Sequence, residues 1–237
     1  MSLEAKIADA DTLLEITARE YAPAVFASSF GAEDMVLTDL IARHRRAIEI
    51  FTLDTGRLPE ESHRLIGRAA ERYGIAFQVF YPDAAALEQF HQQHGAYPFL
   101  RSVELRKGCC GLRKVEPLRR ALAGKRAWLT GLRREQAASR QQVPTIADDA
   151  DYGLKKISPL AEWTAKDVWE YLRRFDVPYN ELHDRGYPSI GCAPCTRAIT
   201  VGEDPRAGRW WWEQESGKEC GLHESRRVEK SSALKTA

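Results

Sequence analysis

Short apolar runs alternate with helical patterns through the first two thirds of this 237-residue chain, and this alternation constrains the fold more than any other feature. Four runs are typical of buried strands, and they cover residues 24–27, 47–53, 76–81 and 127–130. The stretches between them carry apolar residues at helical spacing. Strands joined by helical crossovers lie parallel, so the pattern predicts an α/β fold with a doubly wound, mostly parallel sheet.

Capping residues mark two of the helix starts. Asp83 precedes a helical stretch as an N-cap, and Thr164 with Asp167 forms a capping-box pattern. After Pro178 the regularity fades into a stretch rich in Pro and Gly, which predicts an irregular C-terminal segment. We therefore expect one domain over residues 1–200 and a mobile tail over residues 201–237.

Three loops follow predicted strands, at residues 28–34, 53–57 and 130–134. Ligands of doubly wound sheets bind beyond the carboxyl ends of the strands, so the three loops share one rim. The first loop also begins a helix, whose free N–H groups suit a phosphate or sulfate. Gly31 would let the backbone approach such an anion, and the hydroxyls of Ser28 and Ser29 add donors. An ordinary capped turn explains the same residues without a ligand.

Five cysteines form a pattern of two tight pairs and one isolated thiol, Cys220. Their odd number, with no export signal, argues against a disulfide framework. Adjacent cysteines bend toward one zinc ion with difficulty, whereas a cubane iron–sulfur cluster offers separate corners. The pattern favours a 4Fe–4S cluster, with zinc and redox or structural thiols as alternatives. The predicted ligands are Cys109, Cys110, Cys192 and Cys195.

Charge and hydropathy exclude several partner classes. The formal net charge is +1, so nothing indicates a nucleic-acid or membrane-surface binder, and an anionic substrate must be met by local clusters of Arg and Lys. No apolar run approaches the roughly 20 residues that span a bilayer. The first residues lack the apolar core of a signal peptide, which makes the cytoplasm the expected compartment. The oligomeric state is left open, a homo-oligomer included.

Six motifs carry a resemblance to a known family, from about residue 20 to residue 225. SSFGAEDMVL and LDTGRLPEES resemble the adenine nucleotide α-hydrolase group, and Phe30 replaces the second Gly of the SGGxDS loop of its ATP-splitting members. CCGLRKVEPLRRAL, WLTGLRREQAASR, GCAPCTRAI and ECGLH resemble the cluster-bearing adenylylsulfate reductases of the PAPS/APS reductase family. Members specific for the 3′-phosphorylated substrate usually lack both cysteine pairs. The resemblance thus implies adenylyl sulfate as substrate.

The resemblance also implies roles for individual residues. Cys220 would be the nucleophile that takes the sulfonyl group, and thioredoxin would then release sulfite. Because AMP is a stable leaving group, the main requirement is fixed positive charge around the phosphosulfate. Leu53 and Gly131 would offer backbone groups to the adenine. The expected substrate-binding residues are Ser28, Ser29, Gly31, Leu53, Lys114, Gly131, Arg133, Arg134, Arg206, Arg209 and His223.

Other interpretations remain beside this one. The substrate could be the 3′-phosphorylated form, alone or together with adenylyl sulfate. A tRNA-thiolating enzyme of the same fold would need the SGGxDS loop and a basic surface, neither of which the sequence has. A metal-stabilised binding module would leave Cys220 idle. For Trp210, Trp211 and Trp212, packing or partner contact is favoured over a stacking platform.

Overall fold

A computed structural model describes residues 1–137, 140–213 and 222 of the chain. In this part of the chain one six-stranded sheet has the order β3-β2-β1-β4-β6-β5. The strands are β1 (Ala24–Ala27), β2 (Ile48–Leu53), β3 (Gln78–Phe80), β4 (Ala127–Leu129), β5 (Ile146–Asp149) and β6 (Leu154–Ile157). All neighbours pair in parallel except the edge strand β5, which is antiparallel to β6. The expected single-domain α/β fold with a mostly parallel sheet is confirmed.

Seven α-helices surround the sheet in the described residues. They are α1 (Leu3–Glu20), α2 (Ala32–Arg43), α3 (Glu60–Tyr73), α4 (Ala84–His94), α5 (Val103–Cys110), α6 (Glu116–Leu122) and α7 (Ala165–Arg174). Both predicted helix starts are confirmed. Asp83 Oδ1 accepts from Ala86 N at 2.8 Å, and Thr164 and Asp167 form a reciprocal capping box. None of the described helices is long and apolar enough to cross a bilayer.

The sequence patterns missed α1 and the antiparallel edge. β5 has the sequence IADD and β6 has LKKI, and neither alternates cleanly between apolar and polar residues. Both strands are largely half-buried or exposed, so little apolar side-chain pattern is needed to hold them. The third strand is shorter than predicted, at residues Gln78–Phe80.

The core fixes the position of the sheet's carboxyl rim. β1 lies in the middle of the sheet, and nearly all of α2 is buried against it. A buried carboxylate also ties three helices together, since Asp39 accepts from Tyr171 at 2.6 Å, from Tyr73 at 3.0 Å and from Arg43 at 2.6 Å. A rigid frame of this kind holds the loops after β1, β2 and β4 in register.

Candidate active site

A cavity opens at the carboxyl ends of β1, β2 and β4, where strand order reverses. It brings together residues from all three predicted loops and from the helix that follows α5. Of the residues expected at the substrate, it is lined by Ser28, Ser29, Leu53, Lys114 and Gly131. Cys192 lies on its wall as well, so the cavity borders the second cysteine pair.

The loop between β1 and α2 is held in a strained, closed conformation. Ser29 donates to Asp34 Oδ2 through its backbone N–H and its hydroxyl, each at 2.6 Å. Phe30 adopts a φ of 56°, a left-handed conformation that is uncommon for a bulky residue, and its ring is buried against Phe77. α2 begins after Gly31, which offers no side-chain cap, so the first N–H groups of the helix are available to an anion.

Asp34 links this loop to the loop after β4. Burial raises the pKa of Asp34 to about 6, although hydrogen bonds from Ser29 and from the Gly131 backbone oppose the rise. A Cβ at residue 131 would lie 2.2 Å from Asp34 Oδ1. Gly131 is therefore required for the close approach of the two loops, a steric role beyond the backbone contact expected from the sequence.

Two arginines expected at the substrate have other partners. The Arg133 guanidinium is buried and bonds to Glu33 at 2.9 Å and to Glu135 at 3.0 Å, so its charge is balanced within the protein. Arg134 lines neither this cavity nor the cleft beside it; it bonds to Glu162 and to the carbonyl of Val143. Arg133 lines that cleft, with its guanidinium held by Glu33 and Glu135, whereas the structure does not bring Arg134 to the site.

A larger basic cleft continues from the cavity. Lys114 and Ser29 lie on both, and Gly31, Arg206 and Arg209 line the cleft as the sequence predicted. Arg209 is buried over the Trp210 ring at 4.7 Å. A Cβ at Gly191 would lie 2.2 Å from the Arg209 guanidinium, so this glycine makes room for it.

Two further cations of the cleft were missed from the sequence. Arg140 and Arg173 also line it. Arg140 ends the WLTGLRREQAASR motif, and only its place in that motif could have drawn attention to it. Arg173 sits in the last turn of α7, where a basic residue is ordinary helix chemistry and gives no functional signal.

The four paired cysteines are all buried beneath the cleft. Cys109, Cys192 and Cys195 pack into one cluster with Phe99 and Trp210. Cys110 is buried beside them and hydrogen-bonds to Arg106. The structure thus brings Cys109 of the first pair next to both cysteines of the second pair, about 80 residues further along the chain.

The backbone is irregular at both cysteine pairs. Directly after Cys110 the helix widens into a π-helical stretch, Gly111–Val115, which then continues as α6. Such stretches are rare and frequent at functional sites. The second pair lies on a short 3-10 turn, Ala193–Cys195, fixed by a bond from Ala193 N to the carbonyl of Arg57 at 2.8 Å.

The surrounding charges act unequally on the thiols. Burial raises the pKa of Cys109, and Arg113 and Arg57 oppose the rise. Burial also raises the pKa of Cys195, with the neighbouring Cys192, to about 12. Burial acts in the same direction on Cys192, but Lys114, a hydrogen bond with Thr55 and Arg209 together lower its pKa. The Thr55 Oγ1 to Cys192 Sγ distance is 3.3 Å.

Buried cationic N–H groups face this thiol cluster without protein acceptors. They are Arg57 Nη1, Arg113 Nε and Arg209 Nε. Arg57 and Arg113 act on Cys109, and Arg113 and Arg209 act on Cys192, so all three lie near the sulfurs. Unpaired buried donors are costly, and an anionic sulfur-rich group would satisfy them. Within the described ranges no three His, Cys, Asp or Glu side chains are grouped as ligands of a single metal ion.

Near the end of the chain, Leu222 is the one described residue after 213. It lines both the cavity and the cleft, and it packs against the cluster that contains Trp128. Cys220 and His223, the expected nucleophile and its neighbour, lie outside the described residues, as does most of the expected mobile tail. Residues 206–213 pack on the cysteine site, and the burial of Trp210 agrees with the expected packing role.

Comparison with known proteins relates this arrangement to one family. Residues 23–198 match the family model of the phosphoadenosine phosphosulfate reductase domain. A protein of Allochromatium vinosum named adenosine 5′-phosphosulfate reductase is 54% identical over 94% of this chain and 87% of its own length. A protein of Burkholderia cepacia with the same name is 52% identical over 93% of this chain and 88% of its own length.

Solved structures show the same fold. The phosphoadenylyl-sulfate reductase of Candida auris, determined with phosphate, superposes with a TM-score of 0.69 at 26% identity, over 83% of this chain and 96% of that chain. The FMN adenylyltransferase of Candida glabrata with ATP superposes with a TM-score of 0.59 at 16% identity, over 86% of this chain and 67% of that chain. The second likeness shows the fold alone.

Proposed function

This chain belongs to the phosphoadenosine phosphosulfate reductase family, and we propose that it reduces adenylyl sulfate to sulfite and AMP. The observation that carries the proposal is the position of Lys114. Its side chain lines both the cavity and the basic cleft, and its charge acts on Cys192. One cation thus lies at the junction of the cavity, the cleft and the cysteine site, where the phosphosulfate of a bound nucleotide would need it.

In this proposal the cavity binds the adenosine and its phosphate, and the cleft binds the sulfate. The apolar wall at Leu53, Leu118 and Trp128 suits an adenine ring, and the N-terminus of α2 suits its phosphate. The sulfate would then extend into the cleft toward Lys114, Arg206 and Arg209. Positive charge fixed there stabilises the phosphosulfate as its bridging bond breaks.

Cys220 is the proposed nucleophile. Its thiolate attacks the sulfate sulfur, an S–S bond forms, and the bond from sulfur to the bridging oxygen breaks with its electron pair on AMP. Leu222 lies in the cavity and in the cleft. Leu222 is two residues from Cys220, and two residues of chain span at most about 7 Å, so the position of Leu222 supports this assignment.

A dithiol protein completes the turnover. Its first thiolate attacks the Cys220 sulfur, sulfite leaves with the electron pair of the S–S bond, and its second thiol resolves the mixed disulfide. Thioredoxin is the reductant that this chemistry favours, since the dithiol supplies both electrons. Five cysteines that must stay reduced or ligated suit the cytoplasm.

We further propose a 4Fe–4S cluster on Cys109, Cys110, Cys192 and Cys195. The buried thiols, the cationic N–H groups around them and the widened helix after Cys110 support it. When bound, the group would supply a fixed negative charge that draws Lys114 and Arg209 into position. The protein's own part is to bury the sulfurs and to exclude water with Phe99 and Trp210.

Sulfite release from adenylyl sulfate tests the function directly. We expect the wild-type chain with reduced thioredoxin to form sulfite, and Cys220→Ser to form none while keeping its iron. Lys114→Ala should lower kcat/KM about 100-fold, the usual loss for one transition-state donor. Lys125→Ala is the matched control, because Lys125 precedes β4 at the opposite end of the sheet and pairs with Glu49.

The 3′-phosphorylated substrate belongs in the same assay. We expect adenylyl sulfate to be preferred at least tenfold, and equal rates would identify a dual reductase. Sulfite formation by Cys220→Ser at the wild-type rate would refute the mechanism.

A further inference from the structure

A buried ion pair joins the first cysteine helix to the start of the segment that carries Cys220. Arg106 Nε donates to Glu213 Oε1 at 2.5 Å, and Arg106 Nη2 donates to Glu213 Oε2 at 3.2 Å. The two side chains are 3% and 6% exposed. A bidentate pair with so little solvent is held in one geometry, unlike a surface ion pair.

Arg106 touches the cysteine site at the same time. It lies one turn before Cys110 on α5, and its side chain hydrogen-bonds to Cys110. Its guanidinium also lies over the Trp210 ring at 4.6 Å. Trp210 packs on Cys109, Cys192 and Cys195, and its carbonyl accepts from Glu213 N at 2.9 Å. One guanidinium therefore contacts a cysteine, the aromatic cover and the carboxylate of residue 213.

The pair lies close to Cys220 in the sequence. Glu213 precedes Cys220 by seven residues, and Leu222 follows it by two. Of the residues on either side of Cys220, Glu213 is described next to the cysteine site and Leu222 in the cavity. Seven residues span at most about 25 Å, so the location of Glu213 limits where the thiol can go.

We infer that Arg106 and Glu213 are a positioning pair that fixes the start of the Cys220 segment relative to Cys110. The inference rests on the proposed function, because it assumes that Cys220 is the thiol to be positioned. Neither residue touches the substrate in this account. Loss of the pair should release the segment while leaving the nucleotide cavity unchanged.

Alkylation of Cys220 in the full-length protein, purified without air, tests this inference. The rate is followed by mass spectrometry of the peptide that carries Cys220, with N-ethylmaleimide as the probe. We expect Glu213→Gln to alkylate at least threefold faster than the wild type, with its iron content kept. Glu116→Gln is the matched control, because it removes the carboxylate of an equally bidentate but exposed pair with Arg120.

Kinetics supply the readout that a purely structural role would not give. With thioredoxin in excess, Glu213→Gln should lower kcat about tenfold and leave the KM for adenylyl sulfate within twofold. Arg106→Lys keeps the charge but not the bidentate geometry. Like Glu213→Gln, it should raise the alkylation rate of Cys220 and lower kcat. An alkylation rate less than threefold above the wild type would overturn the inference. Loss of iron in both variants would also overturn it, since the pair would then serve the cysteine site alone.

These outcomes are separable from the proposed function. Alkylation needs no substrate, so it reports on the pair even if Cys220→Ser were to make sulfite. Conversely, an unchanged alkylation rate together with an inactive Cys220→Ser would refute the positioning role of Arg106 and Glu213 and leave the reductase mechanism in place.

Discussion

The rim, formed by the loops after β1, β2 and β4, lies beside the pocket formed by Cys109, Cys110, Cys192 and Cys195, and Lys114 and Cys192 line the cavity at the rim, yet the two regions are built differently. Short-range bonds close the loop after β1, such as those from Ser29 to Asp34, five residues away, and Asp34 also meets the Gly131 backbone of the loop after β4. Bonds between distant residues close the pocket. The bond from Arg113 to the Thr55 carbonyl spans 58 residues, and the contact of Thr55 with Cys192 spans 137.

The polar groups of the two regions also differ. On the rim, the buried Asp34 carboxylate has donors in Ser29 and Gly131. In the pocket, three buried nitrogens have no protein acceptor: Arg57 Nη1, Arg113 Nε and Arg209 Nε. The buried carboxylate of the rim is thus satisfied by the protein itself, whereas the buried donors of the pocket are the groups that the proposed anionic cluster would satisfy.

The largest effect should come from Cys192→Ser, which removes one of the four proposed ligands from the pocket. We expect iron to fall to background and the thermal midpoint to fall by about 10 °C, since loss of a bound group removes several kcal/mol. Nucleotide affinity should change much less, because Cys192 lies on the cavity wall while the bonds from Ser29 to Asp34 that close the loop after β1 involve no residue of the pocket. Iron analysis, thermal denaturation and AMP titration check this. Full iron content would contradict the ligand assignment, and loss of AMP binding would contradict the independence of the two regions.

Gly131→Ala should weaken nucleotide binding at the rim and leave the cysteine pocket unchanged. A Cβ there would lie 2.2 Å from Asp34 Oδ1, so the loops after β1 and β4 must separate. We expect the Kd for AMP to rise about tenfold, or about 1.4 kcal/mol, with the iron unchanged. Gly67→Ala is the control, because a Cβ at Gly67 meets nothing within 4 Å. Equal AMP affinity in both variants would show that the close approach of Gly131 to Asp34 is not needed for nucleotide binding.

The smallest effect concerns the pH dependence of the rim. Burial raises the pKa of Asp34 from 3.8 to about 6 in the folded state. As pH rises, the unfolded chain therefore loses this proton first, and the folded state loses stability between pH 4 and 6 before levelling off. From pH 5 to pH 7 the loss should be about 1 kcal/mol.

Thermal midpoints of the wild type and Asp34→Asn at pH 5 and pH 7 measure this difference. As pH rises from 5 to 7, the thermal midpoint of the wild type should fall further than that of the variant, because the variant has no carboxyl to titrate at residue 34. A wild-type midpoint that rose relative to the variant would show that Asp34 is a stabilised carboxylate.

The sequence predicted the strands and helix starts better than the contacts between distant elements, for a physical reason. Strand runs and caps are local signals, so β1, β2, β4 and the start of α7 could be read from short windows. Gly131 was expected to contact adenine, but its close approach to Asp34 depends on two loops about 100 residues apart. No local pattern carries that distance.

The arginines show the same limit. Arg133 and Arg134 are neighbours in one motif, yet one is buried on Glu33 and the other bonds Glu162. Spacing alone could not separate them, because partners from distant elements decide their roles. The pair of Arg106 and Glu213 was missed for the same reason, since it joins residues 107 positions apart.

The most direct test of the account is to look for the sulfonyl group on the protein. Wild-type protein prepared without air is mixed with adenylyl sulfate in the absence of any reductant, and its peptides are analysed by mass spectrometry under non-reducing conditions. The account predicts one sulfonate on the peptide that carries Cys220, released as sulfite when reduced thioredoxin is added. A sulfonate on Cys109, Cys110, Cys192 or Cys195 instead, or none on any peptide while sulfite still forms, would contradict it.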